Sequence, residues 1–123
     1  IKWVNYKTGV KDIYFRLDAD KESARVSIEM QHGDPGIRTL FYEQWEQVRD
    51  FFEESTSDQW IWEPHYVNEN GTEVARIYVE LQNVSIYQQE TWGEVFDFFR
   101  EYLIPLDDVW NDMFDLFWDL SEG

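Results

Sequence analysis

The sequence predicts an α+β fold in which duplicated ββα units form an antiparallel four-stranded sheet with helices packed on one face, plus a C-terminal helix. Three observations predict it. The stretch ARVSIEMQ at residues 24–31 returns as ARIYVELQ at 75–82. WEQVRDFFEE at 45–54 returns as WGEVFDFFRE at 92–101, with six of the ten positions identical. Within each copy the apolar period switches from two to about 3.6, the change that separates a half-buried strand from an amphipathic helix. The strand match is offset by 51 residues and the helix match by 47, so the copies differ by four residues in the connection between them. The chain therefore reads as a single domain over 1–123, with an internal repeat at about 11–56 and 58–104 and a last helix at 105–121.

The elements follow in order. KDIYFRLD alternates, setting Ile13, Phe15 and Leu17 on one face and Tyr14, Arg16 and Asp18 on the other, and in RVSIEMQ the inward set is Val26, Ile28 and Met30. DADKES between them is a polar hairpin connection. A helix starts at Asp34-Pro35, because the fixed φ and missing N–H of proline suit the first helical position. Its apolar stripe is Ile37, Leu40, Phe41, Trp45, Val48 and Phe52. In the second copy Trp60 and Trp62 begin a strand that Pro64 confines to an edge or a bulge, since proline donates no ladder hydrogen bond. Asn70-Gly71 supplies the residues of a tight primed turn, and Ile77, Val79 and Leu81 face inward on the return strand. The second helix carries Trp92, Val95, Phe96, Phe99 and Leu103 behind a Thr91/Glu94 capping box. Pro105 then breaks the chain and opens a third helix with Leu106, Val109, Trp110, Met113, Phe117 and Leu120 on its apolar face.

Composition narrows the function classes. The net charge is −16, yet 19% of residues are aromatic, which a disordered acidic chain is not, so the acids belong to the surface of a folded body. All four lysines lie within the first 21 residues, while residues 31–123 hold 21 acids against four arginines. A field of that sign repels phosphate backbones and anionic lipid, so no direct nucleic-acid or membrane binding is expected. The partner expected is another protein or a second copy in a homodimer. With no cysteine there is neither a disulfide nor a thiolate metal site, and a reducing, cytoplasmic setting is expected. Neither an 18-residue apolar run nor a basic-then-apolar leader is present. The start at Ile1, directly in strand-like sequence, reads as a piece lacking an N-terminal segment.

Catalytic patterns are sparse. A restriction-type nuclease needs an acid two positions before a lysine, to hold a metal beside the attacking water. Asn5, Gly9 and Ala19 stand there instead, before Lys7, Lys11 and Lys21. Asp18, Asp20, Glu22 and Glu29 imitate calcium-loop spacing, but Ser23 occupies the glycine position and the flanks are strands. His32 and His65 occupy non-equivalent places in the copies and belong to no ligand motif; His32, at a strand-to-helix corner, reads as a structural hydrogen-bonding group. No catalytic, cofactor-binding or metal residue is assigned, and no cofactor is expected. Two surfaces remain. Tyr14, Arg16, Arg25, Glu29, Arg76, Tyr78 and Glu80 share the outer sheet face, as a solvated face with cross-strand ion pairs or as a candidate interaction face, because Arg and Tyr are enriched where proteins bind. Asp108, Asp112, Asp115 and Asp119 form an acidic stripe at helical spacing, as a solvated face or as an acidic docking surface.

The stretches WVNYKTGVKDIYFRLDADKESARVSIEM, DPGIRTLFYEQWEQV, ARIYVELQNVSIY and PLDDVW, in this order, resemble the bacterial family catalogued as Domain of Unknown Function 4268, and the similarity spans nearly the whole chain. The resemblance implies a module that accompanies an additional N-terminal helical segment and that some members carry at the C-terminal end of nuclease-like proteins. It points to service of a nucleic-acid enzyme or a defence-type system. The leading expectation is thus a non-catalytic protein-interaction or dimerisation module. The alternatives are an acidic decoy that mimics DNA toward a basic protein, and a metal-dependent hydrolase using His32 or the Asp18/Asp20 pair.

Overall fold

A computed structural model describes residues 3–122, with the side chain of Trp3 left out; Ile1 and Lys2, which open the strand-like start of the chain, lie outside the described residues. Five strands form one antiparallel sheet in the order β1-β2-β3-β5-β4: β1 (Trp3–Lys7), β2 (Ile13–Ala19), β3 (Ser23–Met30), β4 (Ile61–Val67) and β5 (Glu73–Gln82). The helices are α1 (Pro35–Gln47), α2 (Arg49–Ser55) and α3 (Trp92–Glu122), with a 3₁₀ turn at Gln89–Thr91 before the last. The four-strand expectation is thus corrected to five. WVNYK alternates over only five residues, too few for its period to stand out, and its pairing with β2 depends on the turn that follows. That turn is built by Gly9 at φ 90° and Asp12 at φ 67°, with the Thr8 hydroxyl donating to the Ile13 carbonyl at 2.8 Å.

The inward faces are those expected. Ile13, Val26, Ile28, Met30 and Ile77 are fully buried, and they meet Phe41, Trp45 and Phe52 of α1 and α2 and Leu106, Trp110, Met113 and Phe117 of α3 in one core. Trp45 is its centre, with ring centroids 4.6 Å from Phe117, 5.4 Å from Phe52 and 5.7 Å from Trp110. Burying a large side chain is worth about 1.5–3 kcal/mol, so this aromatic cluster locks both helical layers onto the sheet.

Several local expectations change. The first helix breaks at Val48 into α1 and α2, and Ile37 and Leu40 are exposed while Arg38 and Tyr42 are buried in their stead. Arg38 explains the rotation of the buried face, because its guanidinium donates to the His32 carbonyl at 2.8 Å and pairs with Glu73 at 2.9 Å. Asp34 does cap α1, accepting from the Gly36 N–H at 2.8 Å with Pro35 at the first position. Asn70-Gly71 does not form a two-residue turn. Residues 68–72 make a five-residue loop around Asn68, whose side-chain oxygen accepts from the N–H groups of Asn70 and Thr72 at 3.0 Å each, and only Gly71 has a positive φ. Pro64 sits where β4, an edge strand, shifts register between Glu63 and Tyr66.

Pro105 does not end a helix. One helix runs from Trp92 to Glu122, because Val95, Phe98, Leu106, Val109, Trp110, Met113 and Phe117 continue one buried stripe across the proline. The proline costs about 3 kcal/mol, less than the burial that would be lost if the second half left the core. Thr91 engages Ser85 in place of a capping box, accepting from its N–H at 3.0 Å and donating to its carbonyl at 2.9 Å.

Candidate functional site

α3 rests on β3, and α1 rests on β5 and β3, so the helical layer is displaced toward the β5 half of the sheet. At the opposite edge the inner face of β1 is left open: Val4 and Tyr6 are 41% and 42% exposed although they point to the side the core occupies. Two recesses follow. One of about 550 Å³ is lined by Val4, Leu17, Tyr87, Trp92, Val95, Phe96 and Phe99, and one of about 610 Å³ by Tyr6, Phe15, Leu103, Ile104, Asp108, Trp110 and Phe114. Val4 and Tyr6 are two apart on β1, Leu17 and Phe15 two apart on β2, and Phe99 and Leu103 one turn apart on α3. The two recesses therefore lie in line along one flank of α3, and together they form a largely apolar groove with Lys7, Asp107, Asp108 and Asn111 at its second end.

Its ends are built, not frayed. At the first end the loop before α3 is pinned to the β2–β3 turn by the Ile86 N–H donating to Asp20 at 3.0 Å, and the Trp92 indole donates to the Ile86 carbonyl at 3.0 Å. That bond leaves the ring 41% exposed along the groove. At the other end the Trp110 indole donates to the Thr8 carbonyl at 2.9 Å, tying α3 to the β1–β2 turn. Phe96 at 55% and Ile104 at 57% exposure stand on the helix wall. Sequence reasoning placed Phe96 and Trp92 in the core stripe and gave Val4, Tyr6, Tyr87 and Ile104 no part. The signal was present: Trp92, Val95, Phe96, Phe98, Phe99, Leu103 and Ile104 are too many apolar positions for one face of a helix.

The outer sheet face gathers all seven of its expected residues. Register stacks them in rows across the strands: Asp18, Arg25 and Glu80; Arg16, Ser27 and Tyr78; Tyr14, Glu29, Arg76 and Glu63. Arg25 pairs with Asp18 at 2.5 Å, Glu80 at 2.9 Å and Asp20 at 3.0 Å. Arg16 pairs with Glu69 of the β4–β5 loop at 2.9 Å, and Arg76 with Glu63 at 2.5 Å while lying 3.5 Å over the Tyr66 ring and 4.1 Å over Tyr78. Arg16, Arg25 and Arg76 line a polar cleft of about 280 Å³ in which five acids outnumber the three arginines. Glu29 is only 3% exposed. Burial pushes its carboxyl above the ordinary carboxylate range, against the pull of the Gln31 amide and the Arg16 and Arg76 charges. For Asp20 burial also pushes upward, but the Glu22 N–H, the Arg25 guanidinium and the Ser23 N–H outweigh it and hold the group at about 2.

The remaining candidates do not converge. Asp108, Asp112, Asp115 and Asp119 are all exposed along α3. His32 accepts from the Asp34 N–H at 2.9 Å through Nδ1 and lies at the opposite end of the β2–β3 hairpin from Asp20, about 26 Å away at the rise of a strand. His65 faces Glu73 at 3.0 Å on the surface. Among the described residues no group of three or more His, Cys, Asp or Glu is placed to hold a metal ion, and no helix is long and apolar enough to cross a membrane.

A family model described as a domain of unknown function (DUF4268) matches residues 1–114. No curated protein and no solved structure matches the chain.

Proposed function

The chain belongs to the DUF4268 family, and on that premise we propose that it is a protein-interaction module, with no catalytic step of its own, that receives its partner in the apolar groove between β1 and α3. One observation carries the reading: Val4, Tyr6, Phe96 and Ile104, each more than 40% exposed, line the two recesses that lie in a row between β1 and α3. Contiguous exposed apolar surface marks interaction sites in folded proteins, whereas singly scattered apolar residues do not. The outer sheet face is the weaker docking candidate, because its three guanidinium groups are already engaged by carboxylates of the same chain. The test is the capture of partners from a bacterial lysate at 0.5 M salt by the intact chain and by its Phe96→Asp variant. Retention lost in the variant alone supports the groove. Retention unchanged in the variant but lost on Tyr78→Ala moves the site to the sheet face.

The second reading, a decoy that presents acids to a DNA-binding protein, is favoured by the four exposed aspartates of α3 and by the charge of −16. Its mark is binding to a basic protein that weakens steeply with salt, and salt-independent binding removes it. Either reading suits an accessory domain of a nuclease-like or defence-type system.

The two ββα stretches are also read as a duplicated unit. In support, the repeated segments form β3 and β5, which pair antiparallel with Ser27 opposite Tyr78, two positions separated by the repeat offset of 51 residues. Equivalent residues facing each other are what a local twofold produces. A profile built from residues 11–56 of many family members that failed to find 58–104 would remove this reading.

A further inference from the structure

Strands are spaced about 4.8 Å apart, so β1 lies about 9.5 Å from β3, the strand on which α3 rests. Packed helices are separated by about 8–10 Å. The uncovered strip beside α3 is therefore one helix wide. From Trp92 to Phe114, the first and last helix residues that line the two recesses, α3 advances about 33 Å, room for about six helical turns. A strand added at the outer edge of β1 would extend the sheet in its own plane and leave Phe96 and Leu103 uncovered, so width and depth both select a helix.

Charge selects which helix. α3 carries nine acids and one basic residue, Arg100, which is already paired with Asp97. Asp107 and Asp108 stand at one end of the groove. A second copy would bring another net charge of −16 against these acids, and among the described residues that line its own groove the one lysine or arginine is Lys7. We propose that the berth between β1 and α3 takes an amphipathic α-helix of another protein, apolar on the side turned to the sheet and bearing lysine or arginine on its flanks. This rests on the groove-docking reading and adds the partner's chemistry to it.

The experiment is a titration of the intact ¹⁵N-labelled chain with four 18-residue peptides. Three share one helical apolar stripe with lysine, glutamine or glutamate flanks, and the fourth scrambles the lysine peptide. The expected result is that the lysine-flanked helix shifts the amide signals of Val4, Tyr6, Leu17, Phe96 and Leu103, with a Kd at least tenfold below those of the glutamate-flanked and scrambled peptides. The Phe96→Glu variant, changed at an exposed position, weakens it tenfold or more. If the glutamine- or glutamate-flanked helix binds the groove equally well, the basic partner is overturned and the docking groove stands. Concentration-dependent shifts of the same residues without peptide overturn the foreign partner in favour of a second copy. If no peptide reaches the groove, or the scrambled one binds as tightly, both this inference and the groove reading fall.

Discussion

At the scale of single residues, two glycines with similar backbones separate strain from contact. Gly9 has φ 90° and Gly71 φ 78°, but a Cβ on Gly9 would lie 2.8 Å from the Phe114 ring whereas one on Gly71 meets nothing within 4 Å. Gly71→Ala should cost about 1 kcal/mol, the penalty of a left-handed alanine. Gly9→Ala should cost about 1–2 kcal/mol more, because Phe114 must move or the turn must open, and urea denaturation of both variants measures the difference. Equal losses would mean that Phe114 swings away freely. Glu29 gives a pH-dependent case. Its folded pKa lies above its unfolded value, so the fold binds its proton more tightly, and its contribution declines as pH rises from the unfolded value near 4.5 through the raised one. Asp20 acts oppositely, with its favourable contribution present above about 3.8 and lost as pH falls toward about 2. Glu29→Gln should therefore gain stability relative to the parent as pH is raised from 4 to 7. Parallel stability curves across that range would show that the Arg16 charge offsets the burial of the carboxylate.

Elements were legible in the sequence where one period decided them and illegible where two effects of similar size competed. β2, β3 and β5 were readable because their apolar residues alternate over seven to ten positions, even though in β3 the outer Ser27 and Glu29 are buried as well, and the repeated segments form adjacent strands. β1 was missed because five residues alternate too briefly. α3 was divided because proline is a strong local signal, while the stripe that overrides it is spread over six turns of helix. This makes a prediction: Pro105→Ala should restore a backbone hydrogen bond to Glu101 and relieve the clash with its carbonyl, raising stability by up to about 3 kcal/mol, read as a higher denaturation midpoint at unchanged helicity. A loss of stability would assign Pro105 a needed bend in α3, one that seats Leu106, which is fully buried, on the sheet. The groove was illegible for a related reason. A helix face that packs and one that waits for a partner carry the same residue types, and only the position of α3 over β3 distinguishes Val95 from Phe96.

Across the whole molecule the charge is the dominant unshared feature. Ten lysines and arginines can neutralise at most ten of the 26 acids, so most carboxylates repel one another across distances comparable to the molecule. Two electrostatic terms respond differently to salt. The sheet-face pairs, with Arg16, Arg25 and Arg76 side chains only 11–17% exposed, act over about 3 Å and are poorly screened. The net repulsion acts over tens of ångströms, inside the Debye length of about 30 Å at 0.01 M salt and outside that of about 3 Å at 1 M. Compacting a chain of charge −16 is opposed by the long-range term, and unfolding relieves it. Sodium chloride should therefore stabilise the fold, with the urea midpoint rising between 0.01 and 0.5 M; chloride is chosen over sulfate because sulfate strengthens apolar burial in any protein. A midpoint that falls with salt would mean that the exposed pairs contribute more than their usual 0–1 kcal/mol each and together outweigh the repulsion. The same titration bears on partner choice, because a fold held back by its own acids gains stability when basic flanks neutralise Asp107 and Asp108 beside the groove.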